Sequence, residues 1–250
     1  LQSLRNRRIE RIKLAAIRPS RRINRGRTTL PMSIHPRPIG LILAGGRSLR
    51  MRGALPGEQS DKGLLELNGK PLLSHVIERL APQSAQLILN ANGDPARLAN
   101  FNLPVVADTI EGFAGPLAGL LAGMQWTQAN APNTTHLVSV STDVPFLPTN
   151  LVEKLQIARV QSHAVIALAR SSGGLHPVIG LWPLALADDL EAALRDGTRK
   201  VQEWTRRHAA VPVDFPDLVL NGRAVDPFFN ANTPTDLAQA RELLGHEPPA

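Results

Sequence analysis

From Ile39 onward, short runs rich in β-branched and aliphatic residues alternate with longer segments of helical spacing. That alternation restricts the chain to stacked βαβ units around a mostly parallel sheet. The predicted strands are 39–43, 86–89, 105–107, 136–141, 164–169 and 178–182, with a short piece near 224–229. One helix is expected from Pro71, a favoured first-turn residue, because Leu72, Val76, Ile77 and Leu80 recur at helical intervals. Others are expected over 116–129, 150–160, 184–195, 198–207 and 234–244. The implied architecture is an α/β three-layer, Rossmann-like sandwich, with one domain over 39–245 and a tail at 246–250.

Charge divides the chain unevenly. Residues 1–38 hold eleven of the 28 basic residues and one acid, Glu10, leaving 17 basic against 20 acidic residues for the rest. The body thus carries a balance of −3, which argues against nucleic acid as a partner despite the overall +7. The Arg-rich first 38 residues show no sustained periodicity and are expected to be disordered. Such a segment suits a nucleic-acid-binding arm or a transit peptide. Alternatively it precedes the natural start, with Met32, seven residues before the first strand, as the expected initiator. No stretch reaches the ~20 uncharged apolar residues that span a bilayer, so no membrane partner is expected. The absence of cysteine removes disulfides, thiolate metal sites and thiol nucleophiles, and suits the cytoplasm.

Chemistry concentrates where strands end. The first strand runs into Leu43-Ala44-Gly45-Gly46, then Arg47, Arg50, Arg52 and Asp61-Lys62-Gly63. Glycines there let the backbone approach a ligand, and bare N–H groups can cradle phosphates. The segment is neither G-x-G-x-x-G nor a Walker loop. The 136–141 strand ends at Asp143-Val144-Pro145. In open α/β sheets ligands bind outside the carboxyl ends of strands, so both features should face one crevice. Asp143 could hold magnesium against phosphates, or simply cap the turn before Pro145.

Taken in order, Leu43-Ala44-Gly45-Gly46, Arg50-Met51, Asp61-Lys62-Gly63-Leu64-Leu65, Gly69-Lys70-Pro71-Leu72, Asn90-Ala91-Asn92, Gly115-Pro116-Leu117-Ala118-Gly119, Asp143-Val144-Pro145 and Asn230-Ala231-Asn232-Thr233-Pro234 resemble the bacterial molybdenum cofactor guanylyltransferases. The resemblance spans roughly 39–244 and implies the fold of the nucleotide-diphospho-sugar transferases. It implies GMP transfer from GTP to the terminal phosphate of molybdopterin, with or without bound molybdenum, and Mg²⁺ as cofactor. Molybdopterin-synthesis proteins and molybdoenzyme chaperones would be further partners. On this likeness Leu43, Ala44 and Gly45 line the nucleotide site with their backbone, Lys62 meets the phosphates, and Asn90 and Asp108 hold the nucleoside. Asp143 carries the metal, and Arg50, His176, Asn230 and Asn232 lie near the pterin or the reacting phosphates. The pattern is broken twice: nine residues, Arg52 to Ser60, separate Arg-Met from Asp-Lys where the family has one or two glycines, and Arg52 stands in place of the usual glycine.

A phosphate monoester, with its second pKa near ~6, already supplies an anionic nucleophile at neutral pH, so no protein base is needed. His176-Pro177 between two predicted strands admits either a restricted turn or a pterin contact. His75 and His136 read as structural, and Trp126, Trp182 and Trp204 as core or interface. Arg199 and Lys200 suit a solvated helix face or contact with an anionic substrate. Competing functions are the same fold with CTP or a sugar phosphate, and a partner-binding domain without turnover.

Overall fold

The computed structural model describes residues 36–44, 62–110, 112 and 115–245. The chain divides into two units, 1–34 and 35–250; only the second contains described residues.

Strand β1 (Ile39–Leu43) is the centre of the fold because its aliphatic residues serve two cores at once. Leu41 packs into one and Ile42 into the other. Two residues each of β2 (Glu66–Leu67) and β3 (Lys70–Pro71) form a small ribbon, followed by α1 (Leu72–Leu80). Then come β4 (Gln86–Asn90), β5 (Val105–Val106), α2 (Pro116–Asn130), β6 (His136–Ser141) and α3 (Leu151–Gln161). The chain continues through β7 (Ile166–Ser171), β8 (Gly174–Pro183), α4 (Ala187–Arg195), α5 (Val201–Thr205) and β9 (Ala210–Asp214). It closes with the β10 (Leu218–Leu220) and β11 (Arg223–Val225) hairpin and α6 (Pro234–Leu244).

The seven-stranded sheet has the order β5-β4-β1-β6-β8-β7-β9. Strand β8 runs antiparallel to both neighbours, and the other pairings are parallel. After β1 the chain builds to one side through β4 and β5, then crosses to the other at β6. This reversal opens a crevice at the carboxyl ends of β1 and β6. Leu43 is there level with Asn90 on one neighbour and Ser141 on the other.

Helices α1 and α3 cover one face against Ile42, Leu89, Val138 and Val140. Helices α2, α4 and α5 cover the opposite face, where Trp182 and Trp204 stack with centroids 5.9 Å apart. A third core beneath α6 joins Leu67, Leu72, Phe146, Val225, Leu237 and Leu243. No helix among the described residues is long and apolar enough to cross a membrane.

The architecture is the expected α/β sandwich, with several boundaries moved. Strand β9 was not among the expected strands, and it contains Pro212, a residue that disfavours central strands. At the sheet edge its missing N–H leaves no ladder bond unmade. The piece expected near 224–229 stops at Val225 and pairs only with β10, across an Asn221-Gly222 turn in which both φ angles are positive. Pro71 is the N-cap of α1 rather than its first turn. The 198–207 helix shrinks to five residues, and the 184–195 helix begins as a 3-10 turn. His176-Pro177 lies within β8, which starts at Gly174, and not in a turn between strands.

Candidate active site

Lys62 enters the crevice from the segment after β1, at the start of a 3-10 turn. Its ammonium donates to the amide oxygen of Asn232 at 2.6 Å and stands 3.9 Å from Asp143 Oδ2. Asp143 lies two residues beyond the end of β6 and is oriented by that strand's last residue, since Ser141 Oγ donates to Asp143 Oδ1 at 2.7 Å. Next door, Gly63 packs so closely on Thr142 that a Cβ would sit 3.3 Å from its methyl group.

The Asn230 to Asn232 segment is bound to the same place. Ala231 N–H donates to the Asp143 carbonyl at 2.9 Å. Thr233 and Asp236 form a capping box at the start of α6, and Asp236 Oδ2 also takes the Asn232 N–H at 3.0 Å. Helix α6 therefore fixes the backbone of the asparagine that holds Lys62. Asn230 is exposed beside it.

A second polar group lines the other side of Leu43. Asn90, buried at the end of β4, donates through Nδ2 to Asp108 Oδ1 at 2.9 Å and to the Val106 carbonyl at 3.1 Å. Asn92 Nδ2 donates to Asp108 Oδ2 at 2.8 Å, and the Asp108 N–H returns a bond to Asn92 Oδ1 at 2.9 Å. Helix α2 approaches so closely that a Cβ on Gly119 would collide with the Asn90 amide oxygen. The Ala44 N–H is consumed by the Asn90 carbonyl at 2.8 Å. Any polar contact from Ala44 to a ligand must then use its carbonyl.

His176 belongs to a third group on the same carboxyl edge, because β7 and β6 both run antiparallel to β8. Its Nε2 lies 2.6 Å from Ser171 Oγ, and its ring packs on Phe228 at 4.6 Å. Burial holds its pKa below the ordinary imidazole value, with Asp226 opposing in part.

Of the residues singled out in the sequence, Lys62, Asp143 and Asn232 are brought into contact, and Leu43 stands between them and the Asn90 and Asp108 pair. Gly45 and Arg50 lie outside the described residues, as does the long 52–60 insertion. Arg199 donates to the carbonyls of Leu194 and Thr198, capping the end of α4. His75 Nε2 meets the Leu67 carbonyl at 2.9 Å. Ser141, Asp236, Ser171 and Asp226 went unnoticed in the sequence. For Asp236 the Thr-x-x-Asp spacing was a usable signal.

A hard cation such as Mg²⁺ fits this donor set. Among the described residues no three His, Cys, Asp or Glu side chains gather as a complete cage. A single carboxylate at the crevice suits an ion whose other ligands come from phosphate oxygens and water.

A family description, the MobA-like NTP transferase domain, matches residues 40–211. The molybdenum cofactor guanylyltransferase of Rhodopseudomonas palustris (strain BisB5) is 48% identical over 215 residues, covering 86% of this chain and 97% of that protein. Molybdopterin-guanine dinucleotide biosynthesis protein A from Archaeoglobus fulgidus superposes with a TM-score of 0.60 at 22% identity, over 82% of this chain and 97% of that one. A Mycobacterium tuberculosis protein crystallised with manganese superposes with a TM-score of 0.55 at 19% identity, over 82% and 98%. At such identities the two structures establish the fold alone.

Proposed function

Because this chain belongs to the MobA-like NTP transferase family, we infer that it is a molybdenum cofactor guanylyltransferase, moving GMP from GTP to the terminal phosphate of molybdopterin and releasing pyrophosphate. The product is the molybdopterin guanine dinucleotide cofactor. The observation that carries this reading is the meeting of Lys62 and Asp143 in the crevice between β1 and β6.

An oxygen of the molybdopterin phosphate attacks the α-phosphorus of GTP, a new P–O–P bond forms, and the bond to the β-phosphate oxygen breaks with its electron pair leaving on pyrophosphate. The nucleophile arrives already anionic, so these residues need to align two polyanions and offset their repulsion. Lys62 contributes a positive charge whose position is set by Asn232. Asp143 would hold Mg²⁺, which when bound neutralises phosphate charge and orients the triphosphate. Asp108 offers a carboxylate that only accepts hydrogen bonds, suited to the N–H and hydroxyl donors of the nucleoside, and Asn90 fixes it. Leu43 and Ala44 form the floor between the two groups, and Gly45 is proposed as a further nucleotide-binding residue. Asn230, Asn232 and His176 fall to the acceptor side, and Arg50 is proposed as a further pterin or phosphate contact. The proposed compartment is the cytoplasm, and the proteins that make molybdopterin or receive the product are proposed partners.

The test is pyrophosphate release from GTP with and without molybdopterin and Mg²⁺. Release that requires all three supports the reading, whereas equal turnover with CTP would remove the guanine assignment.

A further inference from the structure

Ser171, His176 and Asp226 form a hydrogen-bonded knot, joined through the Ser171 hydroxyl, that the phosphate chemistry leaves unused. Both Asp226 oxygens act as acceptors: Oδ1 takes the Phe228 N–H at 2.8 Å, and Oδ2 takes the Gly173 N–H at 3.0 Å and the Ser171 hydroxyl at 2.6 Å. A hydroxyl has one proton to give. With the Ser171 proton committed to Asp226, its oxygen can only accept in the 2.6 Å contact with His176 Nε2. The imidazole nitrogen must therefore be the donor, which fixes the Nε2–H tautomer and leaves Nδ1 bare in the neutral ring.

Nδ1 is the informative atom. Among the described residues the ring's hydrogen bond runs through Nε2, and Nδ1 is not one of the shielded atoms left without a partner, which are Ser84 Oγ and Arg159 Nε, so it is open to solvent. The ring around it is rigidly placed. Phe228 packs on it, and the bulge in β8 behind it is pinned by a buried relay: Trp182 Nε1 donates to Ser139 Oγ at 2.8 Å, which donates to the Val178 carbonyl at 2.6 Å. Asp226 also begins the stretch that reaches Ala231, whose N–H is bound to the Asp143 carbonyl. The knot and the candidate metal carboxylate are the two anchors of one short segment.

We infer that Asp226 and Ser171 are positioning residues that hold His176 as its Nε2–H tautomer, so that Nδ1 accepts a hydrogen bond from an N–H group of the pterin ring. This rests on molybdopterin being the acceptor. A pterin presents several N–H donors on one edge, and a neutral imidazole with a bare nitrogen selects for them, whereas an Nδ1–H or doubly protonated ring would repel them.

The tautomer is measured without substrate, by ¹⁵N NMR of the full chain labelled at histidine, with the His176 signals identified by their loss in His176→Asn. The expected wild-type pattern is a protonated Nε2 and a bare Nδ1. Ser171→Ala and Asp226→Asn should each shift the ring toward a mixture and raise KM for molybdopterin by about tenfold, with KM for GTP unchanged. His176→Asn, whose amide oxygen can stand near the Nδ1 position, should retain more affinity for molybdopterin than His176→Leu. A wild-type Nδ1–H ring, or a tautomer indifferent to both substitutions, overturns the relay. The expected tautomer with an unchanged KM for molybdopterin in both variants overturns the pterin contact. Failure of the wild type to use molybdopterin would sink the function and with it the contact, while the tautomer measurement would still decide the relay.

Discussion

Lys62 is poised by two partners of different kinds, a neutral amide at hydrogen-bond distance and a carboxylate farther off. The amide sets the geometry and the carboxylate the charge. Replacing Asp143 or Lys62 by alanine should lower kcat by about 10² to 10³ while leaving the thermal transition nearly unchanged, since each is only partly buried. Near-normal turnover in Asp143→Ala would exclude the metal role. His176 carries a pH prediction. Its folded pKa lies below that of the unfolded chain, so the unfolded state takes up the proton first as pH falls. The stability it contributes is fully present above the ordinary imidazole pKa and lost as pH falls from there through the folded value. Denaturant midpoints should accordingly decline more on acidification in wild type than in His176→Asn. Lys62 and Asp143 were legible in the sequence because glycines and carboxylates at strand ends have a chemical meaning of their own. Ser171 and Asp226 were not, because they are partners 55 residues apart and neither carries a local pattern.

At the level of elements, helix α6 acts as a clamp more than as a wall. Its capping box fixes Thr233, and the same Asp236 carboxylate oxygen takes the Asn232 N–H. Thr233→Ala should cost ~1 kcal/mol in chemical denaturation. Asp236→Ala should cost at least as much, and should also lower kcat by loosening Asn232. If Asp236→Ala destabilises without touching catalysis, the clamp is only structural. Helix α2 offers a second case. Gly119→Ala would drive a methyl into the Asn90 amide, so KM for GTP should rise together with a loss of stability, both readable from one purified variant. The strands at the centre of the sheet were legible because burial on both faces demands continuous aliphatic runs. The β8 bulge and the edge strand β9 escaped, since Pro177 and Pro212 announce a break where tertiary placement tolerates the missing N–H.

For the whole molecule, the reversal of strand order brings the Lys62 and Asp143 pair, the Asn90 and Asp108 pair and His176 along one edge of the sheet, while the opposite edge is left to connections. Chelation should abolish turnover without unfolding the sheet, because Asp143 is tied into the fold by the Ser141 hydroxyl and the Ala231 N–H. Restored activity with Mg²⁺ and an unaltered circular dichroism spectrum would bear this out; collapse of the fold on chelation would contradict it. The contact between Lys62 and Asn232 joins positions 170 residues apart. A chain still emerging from the ribosome can thus carry both members of its Asn90 and Asp108 group early, yet cannot seat Lys62 until position 232 has been made. Any chain interrupted between those two points would carry the Asn90 and Asp108 pair without the amide that holds Lys62.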